Sequence, residues 1–517
     1  MAAPMKSVKL VKSFYTYSRL SALKFEQKLG DVSPKHGSKE LPKEWESRRL
    51  PLDWCMDQIE EEKCVADPLR YPKHHAGLMT IRNIEMPKLL VKNAREILEE
   101  HDLIDQASFV QEVVRLQQIY LRRQPPLDKE MYSTKMLALA QKVYEDKLTE
   151  LKIKPEDMSQ EDAMKLNKDL QRKVITAYNK TTHNHYVMEY SGHNKLIYLG
   201  ARLSPNYRVL LQIFYELQRF DSEFVPTSLL NVGSGVASAV WASNTIWKKA
   251  VQENYCVDTC TQMNDLARSL LSIDRGHPLK LAVNGATFRE AIPSDKDSNN
   301  RFPLVVSAYL LMEMPSVVER LELVELLWRL TDNYLVLVEH GTMAGYKLIQ
   351  EARDYILQFG KENPSQEGHV FAPCMHDQLC PKMTHLELPC NFTVEYKALL
   401  LDVDHGQGSP RREERYSYVV MKKGPRPEQT DLMPRLVGVN KKSGHVVLDM
   451  CLPDASYRRF NVSKKNSVHM LRCAKRCKAG DFLPCSIPES FGKGDNSEEA
   501  LQEHNSSKDD DDSNYTP

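Results

Sequence analysis

The chain has 517 residues, of which 41% are hydrophobic and 27% charged, a composition that excludes a disordered chain and predicts two or three globular domains. No stretch approaches the roughly 18 to 20 apolar residues that cross a bilayer, so no membrane insertion is expected. Seventy Lys/Arg balance seventy Asp/Glu, but that zero hides one basic and one acidic segment, and segment charge is what predicts partners.

Residues 1–30 carry Lys6, Lys9, Lys12, Arg19, Lys24 and Lys28 against Glu26 alone, with Val8, Leu10, Val11, Phe14 and several serines between them. A basic, acid-poor, amphipathic start reads as a mitochondrial presequence and places the protein in the matrix. A secretory signal needs a continuous apolar stretch, which is absent here. Residues 37–220 read as a Pro/Lys/Glu-rich connection and then, from about residue 86, a helical N-terminal domain. Leu90, Ala94, Ile97 and Leu98 fall on one helix face, and Phe109, Val113, Leu116 and Tyr120 on another. Pro125, Pro126, Pro155 and Pro205 punctuate the run.

From 225 to 430 short apolar strands alternate with helical patterns. The strands are expected at Leu229–Val232, Tyr255–Asp258, Leu279–Val283, Leu304–Tyr309 and Tyr334–Glu339, with helices at Val317–Leu330 and Ala344–Phe359. Phe392–Leu401 and Tyr416–Lys422 read as closing antiparallel strands. This alternation predicts a parallel sheet covered on both faces, an α/β fold of Rossmann type. Asn231-Val232-Gly233-Ser234-Gly235 stands where the first strand turns into a helix, and its glycines permit a tight turn and close approach of a ligand. The helix N-terminus beyond offers free N–H groups. Asp258, ending the next strand, has the chemistry to accept both hydroxyls of a ribose. Asn231, Gly233, Gly235 and Asp258 are therefore the candidate cofactor-binding residues.

Eleven cysteines in a large chain without a secretory signal predict free thiols or metal ligands rather than a disulfide framework. Cys374, Cys380 and Cys390 crowd one insert, residues 371–392, punctuated by Pro373, Pro381 and Pro389. Three thiols start a soft-metal site that needs a fourth ligand, and zinc and an iron–sulfur cluster both remain open from spacing. His376 is a further candidate in the same loop.

A small β-rich region is expected at 431–485. Between Arg435 and Lys478 it carries eleven Lys/Arg against Asp449 and Asp454. Such a surface neutralises phosphate, and Arg458, Arg459, Lys464, Lys465, Arg472 and Lys475 are the candidate RNA-binding residues. Residues 486–517 form an acidic, Ser/Asn-rich segment expected to be disordered. Eight acids stand there between Asp495 and Asp512 against Lys508.

Several strings resemble one branch of the class I S-adenosylmethionine methyltransferases, that of methyltransferase-like protein 17 and its relatives, mitochondrial factors for small-subunit assembly. They are Leu230 to Gly235, Tyr255 to Asp258, Val306 to Glu313 and Leu337 to Gly345. Phe371 to Pro381 and Ser443 to Asp454 carry the most specific part. The resemblance implies a class I methyltransferase core, a helical N-terminal domain, and a small β-rich C-terminal region that holds a metal cluster and binds RNA. It supplies Cys451 as the fourth ligand beside Cys374, Cys380 and Cys390, and points to a [4Fe–4S] cluster. It implies the mitochondrial small subunit as partner; the basic stretch adds its rRNA, and a monomer is expected.

This chain departs from the branch at Asn231, where an acid is usual, at Ala237 for the third glycine, and at His340 after Glu339. No convincing base for methyl transfer is legible, Glu313 and His340 being the nearest candidates. An assembly factor that retains S-adenosylmethionine without turnover is therefore expected, with an active rRNA methyltransferase as the alternative.

Overall fold

The computed structural model describes residues 48–50, 56–126, 188–400 and 411–485, apart from short gaps at 80, 82–84, 105, 275–279, 297–299, 386–387 and 429–432, together with the isolated positions 142, 146, 172 and 173. Residues 1–30, expected to form a presequence, and the acidic segment 486–517 lie outside the described residues.

A two-residue strand β1 (Arg48–Arg49) and helix α1 (Gln58–Ala66) come first. Helices α2 (Lys88–Glu99), α3 (Ala107–Arg122) and α4 (Asn194–Phe220) follow. The apolar faces read from the sequence are the buried faces of α2 and α3: Leu90, Ala94, Ile97 and Leu98, then Phe109, Val113, Leu116 and Tyr120. Pro205, read as punctuation, lies instead inside α4. A proline there leaves the carbonyl four residues earlier without its helical N–H partner. Gln117 of α3 fills the role, its Nε2 donating to Ala201 O at 3.3 Å. The helix continues because a neighbour satisfies what proline removes.

The α/β part runs β2 (Ser228–Val232), α5 (Ser238–Trp247), β3 (Glu253–Val257), α6 (Thr261–Leu271), β4 (Ala286–Arg289), β5 (Phe302–Ala308), α7 (Val317–Arg329), β6 (Thr331–His340), α8 (Met343–Glu362) and β7 (Gly368–Ala372). A short helix α9 (Pro381–His385) and strands β8 (Phe392–Lys397) and β9 (Arg411–Lys423) complete it. The strand order is β4-β3-β2-β5-β6-β9-β7, with β8 on β9. The pairs among β2 to β6 are parallel, and β9 runs antiparallel to both β6 and β7. An antiparallel strand inserted before the last parallel one is the topology of class I methyltransferases, as the motifs imply. Local chemistry starts the helices: Ser316 Oγ accepts from Glu319 N at 3.2 Å ahead of α7, and Thr342 Oγ1 from Gly345 N at 3.1 Å ahead of α8.

One expected strand is displaced. Leu281 makes only an isolated bridge to Ser272, and the edge strand is β4 at Ala286–Arg289. The apolar run at 279–283 had suggested otherwise, but burial belongs to Val283 and the β4 residues are half-buried or exposed. An edge strand needs little apolar character. β7 was missed because it is a short strand ahead of the cysteine segment.

One core joins α2, α3 and α4 to α5, α6 and one face of the sheet, and α7 and α8 cover the other face. The remaining strands β10 (Arg435–Lys441), β11 (His445–Cys451) and β12 (Tyr457–Ser463) form a second sheet in the order β1-β12-β11-β10, backed by α1 and the last helix α10 (Val468–Ala474). A buried ion pair ties this sheet to the larger unit. Arg435 Nη1 lies 2.5 Å from Glu216 Oε1 of α4, and Tyr418 OH of β9 donates to Glu216 Oε2 at 2.7 Å. The extra hydrogen bonds compensate the desolvation that a buried pair suffers.

Candidate functional site

In an open α/β sheet, ligands bind at the carboxyl ends of the strands, where the order reverses. Here that point lies between β2 and β5. The turn after β2 holds Gly233 at φ +71°, Gly235 at φ +49° and Ala237 at φ +55°. The two glycines take the left-handed conformation without a steric penalty, whereas Ala237 bears it at the N-terminus of α5. A Cβ on Gly233 would stand 3.2 Å from Leu310, and one on Gly235 3.3 Å from the Tyr198 hydroxyl. The turn is therefore closely lined on its open side.

Asp258 lies beyond β3 and faces the same turn. Its Oδ2 accepts from Gly235 N at 2.9 Å and its Oδ1 from Cys260 N at 3.0 Å. Each oxygen keeps a second lone pair. Burial raises its pKa, and the two backbone hydrogen bonds oppose that rise. Asn231 is buried in β2 next to Val306 of β5. Ser234 Oγ and Ser307 Oγ are buried at this edge without a hydrogen-bond partner among the described residues. Buried polar atoms normally find partners, so the donor set fits a polar ligand of nucleoside type.

The neighbouring edge, at the ends of β5 and β6, is filled by protein. Arg202 of α4 pairs with Glu414 of β9 at 2.9 Å, and its guanidinium lies 4.6 Å from the Tyr309 ring centre. His340 sits between Tyr309 and Tyr120, at centroid distances of 4.6 and 5.1 Å, with Nδ1 3.5 Å from Glu414 Oε1. Burial, and then the Arg202 charge, lower the His340 pKa to about 4, so its ring is neutral near pH 7. Burial works to raise Glu414, but Arg202 and His340 outweigh it and hold it at about 2. Glu313 is gripped by both terminal nitrogens of Arg123 and accepts from Tyr190 OH at 2.7 Å. The two nearest candidate bases are thus engaged within the protein.

Sequence reasoning passed over Glu339 as an acid. It is fully buried, its Oε1 accepts from Met312 N at 3.2 Å, and burial pushes its pKa to about 7. No sequence signal marked it, because its perturbation comes from enclosure.

The four cysteines come from separate places and meet in one pocket. Cys374 follows β7 and a cis Ala372–Pro373 bond, Cys380 precedes α9, Cys390 precedes β8, and Cys451 ends β11. All four line one narrow pocket shared with Arg435 and Tyr457. Tyr346 OH donates to Cys380 Sγ at 3.1 Å. Arg353, itself fully buried, donates to His376 O at 3.1 Å and Gln378 O at 2.6 Å, and so fixes the loop between the first two thiols. His376 Nε2 lies 3.5 Å from Cys451 Sγ. Burial pushes Cys374 to about 12 and Cys390 to about 11, so without a bound cation both stay protonated. Among the described residues, no group of three or more His, Cys, Asp or Glu is arranged to hold a metal ion.

Other thiols lie elsewhere. Cys64 and Cys473 are 3.7 Å apart, and Cys477 is 3.5 Å from His75 Nε2, all in the core of the small sheet. Cys256 is buried in the main core, and Cys260 packs at its margin beside Asp258.

The candidate RNA-binding side chains differ in availability. Arg459 is taken by Asp449, directly across the β11–β12 ladder, at 2.6 Å. Arg458 is half-buried on the same strand. Lys464, Lys465, Arg472 and Lys475 are exposed. Arg472 Nη1 reaches Pro68 O at 3.4 Å, and Lys475 Nζ reaches Ser443 O at 3.2 Å. No helix among the described residues is long and apolar enough to cross a membrane.

Comparison with known proteins gives the following likenesses. The family model described as mitochondrial small ribosomal subunit Rsm22 matches residues 193–484. The human mitochondrial ribosome assembly protein METTL17 is 30% identical over 426 residues, which cover 81% of this chain and 87% of that one. The mitochondrial Rsm22-cox11 tandem protein 2 of Schizosaccharomyces pombe is 32% identical over 333 residues, 56% of this chain and 43% of that protein. Among solved structures, the magnesium protoporphyrin IX methyltransferase of Synechocystis PCC 6803 with bound SAM overlaps 49% of this chain and 97% of its own, at 11% identity and a TM-score of 0.26.

Proposed function

The chain belongs to the Rsm22 family of the mitochondrial small ribosomal subunit, and from that premise we propose that it is an assembly factor of that subunit which binds the immature particle through its rRNA. The observation that carries this reading is the filled edge of the sheet. Arg202, Glu414, His340, Tyr309 and Tyr120 occupy the strand ends where a methyl acceptor would have to approach. An enzyme needs that space and a base within hydrogen-bond reach, whereas a binding protein can fill it. The exposed cations of the small sheet supply a surface for phosphate. On this reading the protein works in the mitochondrial matrix as a monomer. Sedimentation of matrix extract tests it: the protein migrates with immature small subunits and is missing from translating ribosomes. If it stays at the top of the gradient and small-subunit assembly proceeds normally without it, the reading is wrong.

S-adenosylmethionine is proposed as a retained ligand at Asn231, Gly233, Gly235 and Asp258. The support is the left-handed glycine turn, the two unpartnered serine hydroxyls and a carboxylate with free lone pairs. Binding is expected by calorimetry, at least tenfold weaker in Asp258→Ala, since a hydrogen bond to a charged group contributes about 1.5–3 kcal/mol. No label should pass to small-subunit rRNA. Robust transfer that Asp258→Ala abolishes would instead support the alternative, an active rRNA methyltransferase.

A [4Fe–4S] cluster is proposed on Cys374, Cys380, Cys390 and Cys451. Such a cluster is ligated at four iron corners, so its thiolates stand further apart than the ligands of a single ion. Four thiols around one cavity, without a carboxylate among them, suit it. Arg353 and Arg435 would lie beside a cluster held there, Arg435 keeping its Glu216 partner. In this position the cluster would act as a structural staple between the two units, because Cys451 alone comes from the small sheet.

A further inference from the structure

The basic residues of the small sheet converge on one end of it. Lys441 and Lys442 lead into the β10–β11 turn, and His445 after that turn pairs with Ser463, which precedes Lys464 and Lys465. Lys475 at the end of α10 reaches Ser443 in the same turn. Arg476 and Lys478 lie close enough to affect the ionisation of Lys441, whose pKa is lowered by burial first and by these two cations as well. Lys442, Lys464, Lys465 and Arg476 are exposed and form no ion pair among the described residues. Lys478 is already paired with Glu395 at 2.8 Å.

The same chain carries the complement. Eight acids stand between Asp495 and Asp512 against Lys508. The last described residue, Cys485, is anchored in the small unit through its bridge to Met56. Nearby Phe482 bridges to Arg435, at the opposite end of β10 from Lys441. The basic end therefore lies about one strand length, roughly 20 Å, from the tether. The ten steps from Cys485 to Asp495 span up to about 33 Å. We infer that the acidic segment 495–512 docks in cis on the basic end formed by Lys441, Lys442, Lys464, Lys465, Lys475 and Arg476, and competes there with RNA. Tethering of this kind gives an effective concentration of the order of millimolar. A weak electrostatic contact is then well populated yet is displaced by a polyanion with more phosphates to offer. Only the competition with RNA rests on the proposed function. The contact itself does not.

Two full-length proteins test this, the wild type and a variant with the eight acids changed to Asn or Gln. Carbodiimide cross-linking without RNA, read by mass spectrometry, is expected to join carboxylates of 495–512 to Lys442, Lys464 or Lys465 within one chain, at a yield independent of dilution. Amine acetylation of those lysines should be several-fold faster in the variant. With a single-stranded homopolymer RNA as probe, the variant should bind about tenfold more tightly at low salt, the factor expected for a millimolar tethered competitor whose own dissociation constant is about 0.1 mM. Cross-links absent from this surface, or present only between chains, overturn the inference. Cross-links found where neither protein binds the homopolymer or small-subunit rRNA uphold the contact and refute the RNA-binding reading instead.

Discussion

If the proposed cluster is present, anaerobically purified protein is brown, and serine at Cys374, Cys380, Cys390 or Cys451 is expected to remove that colour. Iron should fall from about four per chain to near zero. The expected loss is large because of where the ligands come from. Three belong to the segment between β7 and β8 of the large sheet, and Cys451 ends β11 of the small one. A group bound across both units stabilises the native arrangement by mass action, about 4 kcal/mol when it is present at a thousand times its dissociation constant. For a unit of this size that corresponds to about 10 °C in the melting of the C-terminal half. Cys260→Ser should leave iron and melting unchanged, since Cys260 lies beside Asp258. Cys473→Ser should keep the iron but disturb the packing against Cys64. One zinc per chain in place of iron would overturn the assignment.

What the sequence made legible follows from how local each signal is. The glycine turn, the strand that precedes it and Asp258 lie within one βαβ unit, where periodicity and glycine placement carry the geometry. The helix faces of α2 and α3 were legible for the same reason. The parallel strands β5 and β6 were also read, as buried apolar runs. Pro205 was misread, because its tolerance depends on Gln117 in another helix. The edge strand β4 was misplaced, because an edge strand carries little apolar signal. Three of the pocket cysteines were conspicuous in one insert, but Cys451 needed a resemblance and Arg353 had no sequence mark at all. The filled edge of the sheet was invisible. Arg202 and Glu414 stand 212 positions apart, and nothing local tells that they meet. The sequence showed no legible base, and the structure adds that Glu313 and His340, the nearest candidates, are held by Arg123 and between Tyr309 and Tyr120.

The largest effect on partner binding should come from replacing Lys464, Lys465, Arg472 and Lys475 together by Ala. Each phosphate that a cation neutralises releases counterions, so the logarithm of affinity falls with the logarithm of salt by roughly 0.7 to 0.9 per contact. Removing four exposed cations should therefore flatten the slope for small-subunit rRNA by about three units. The same change should release the protein from the immature particle. These side chains are exposed, and Arg472 and Lys475 reach only the backbone oxygens of Pro68 and Ser443 among the described residues, so the fold should survive. The thermal melt of the variant checks that. Arg459→Ala provides the internal contrast. Its guanidinium is held by Asp449 at 2.6 Å across the ladder, so it has little charge to offer a phosphate. Its removal should leave the slope nearly unchanged while costing the small sheet some stability. Asp258→Ala should likewise leave the slope unchanged, because it lies at the ligand edge of the other unit. An unchanged slope in the fourfold variant, with its fold intact, would move RNA binding off this surface. A slope reduced as much by Arg459→Ala would mean that the cross-strand pair opens when RNA arrives.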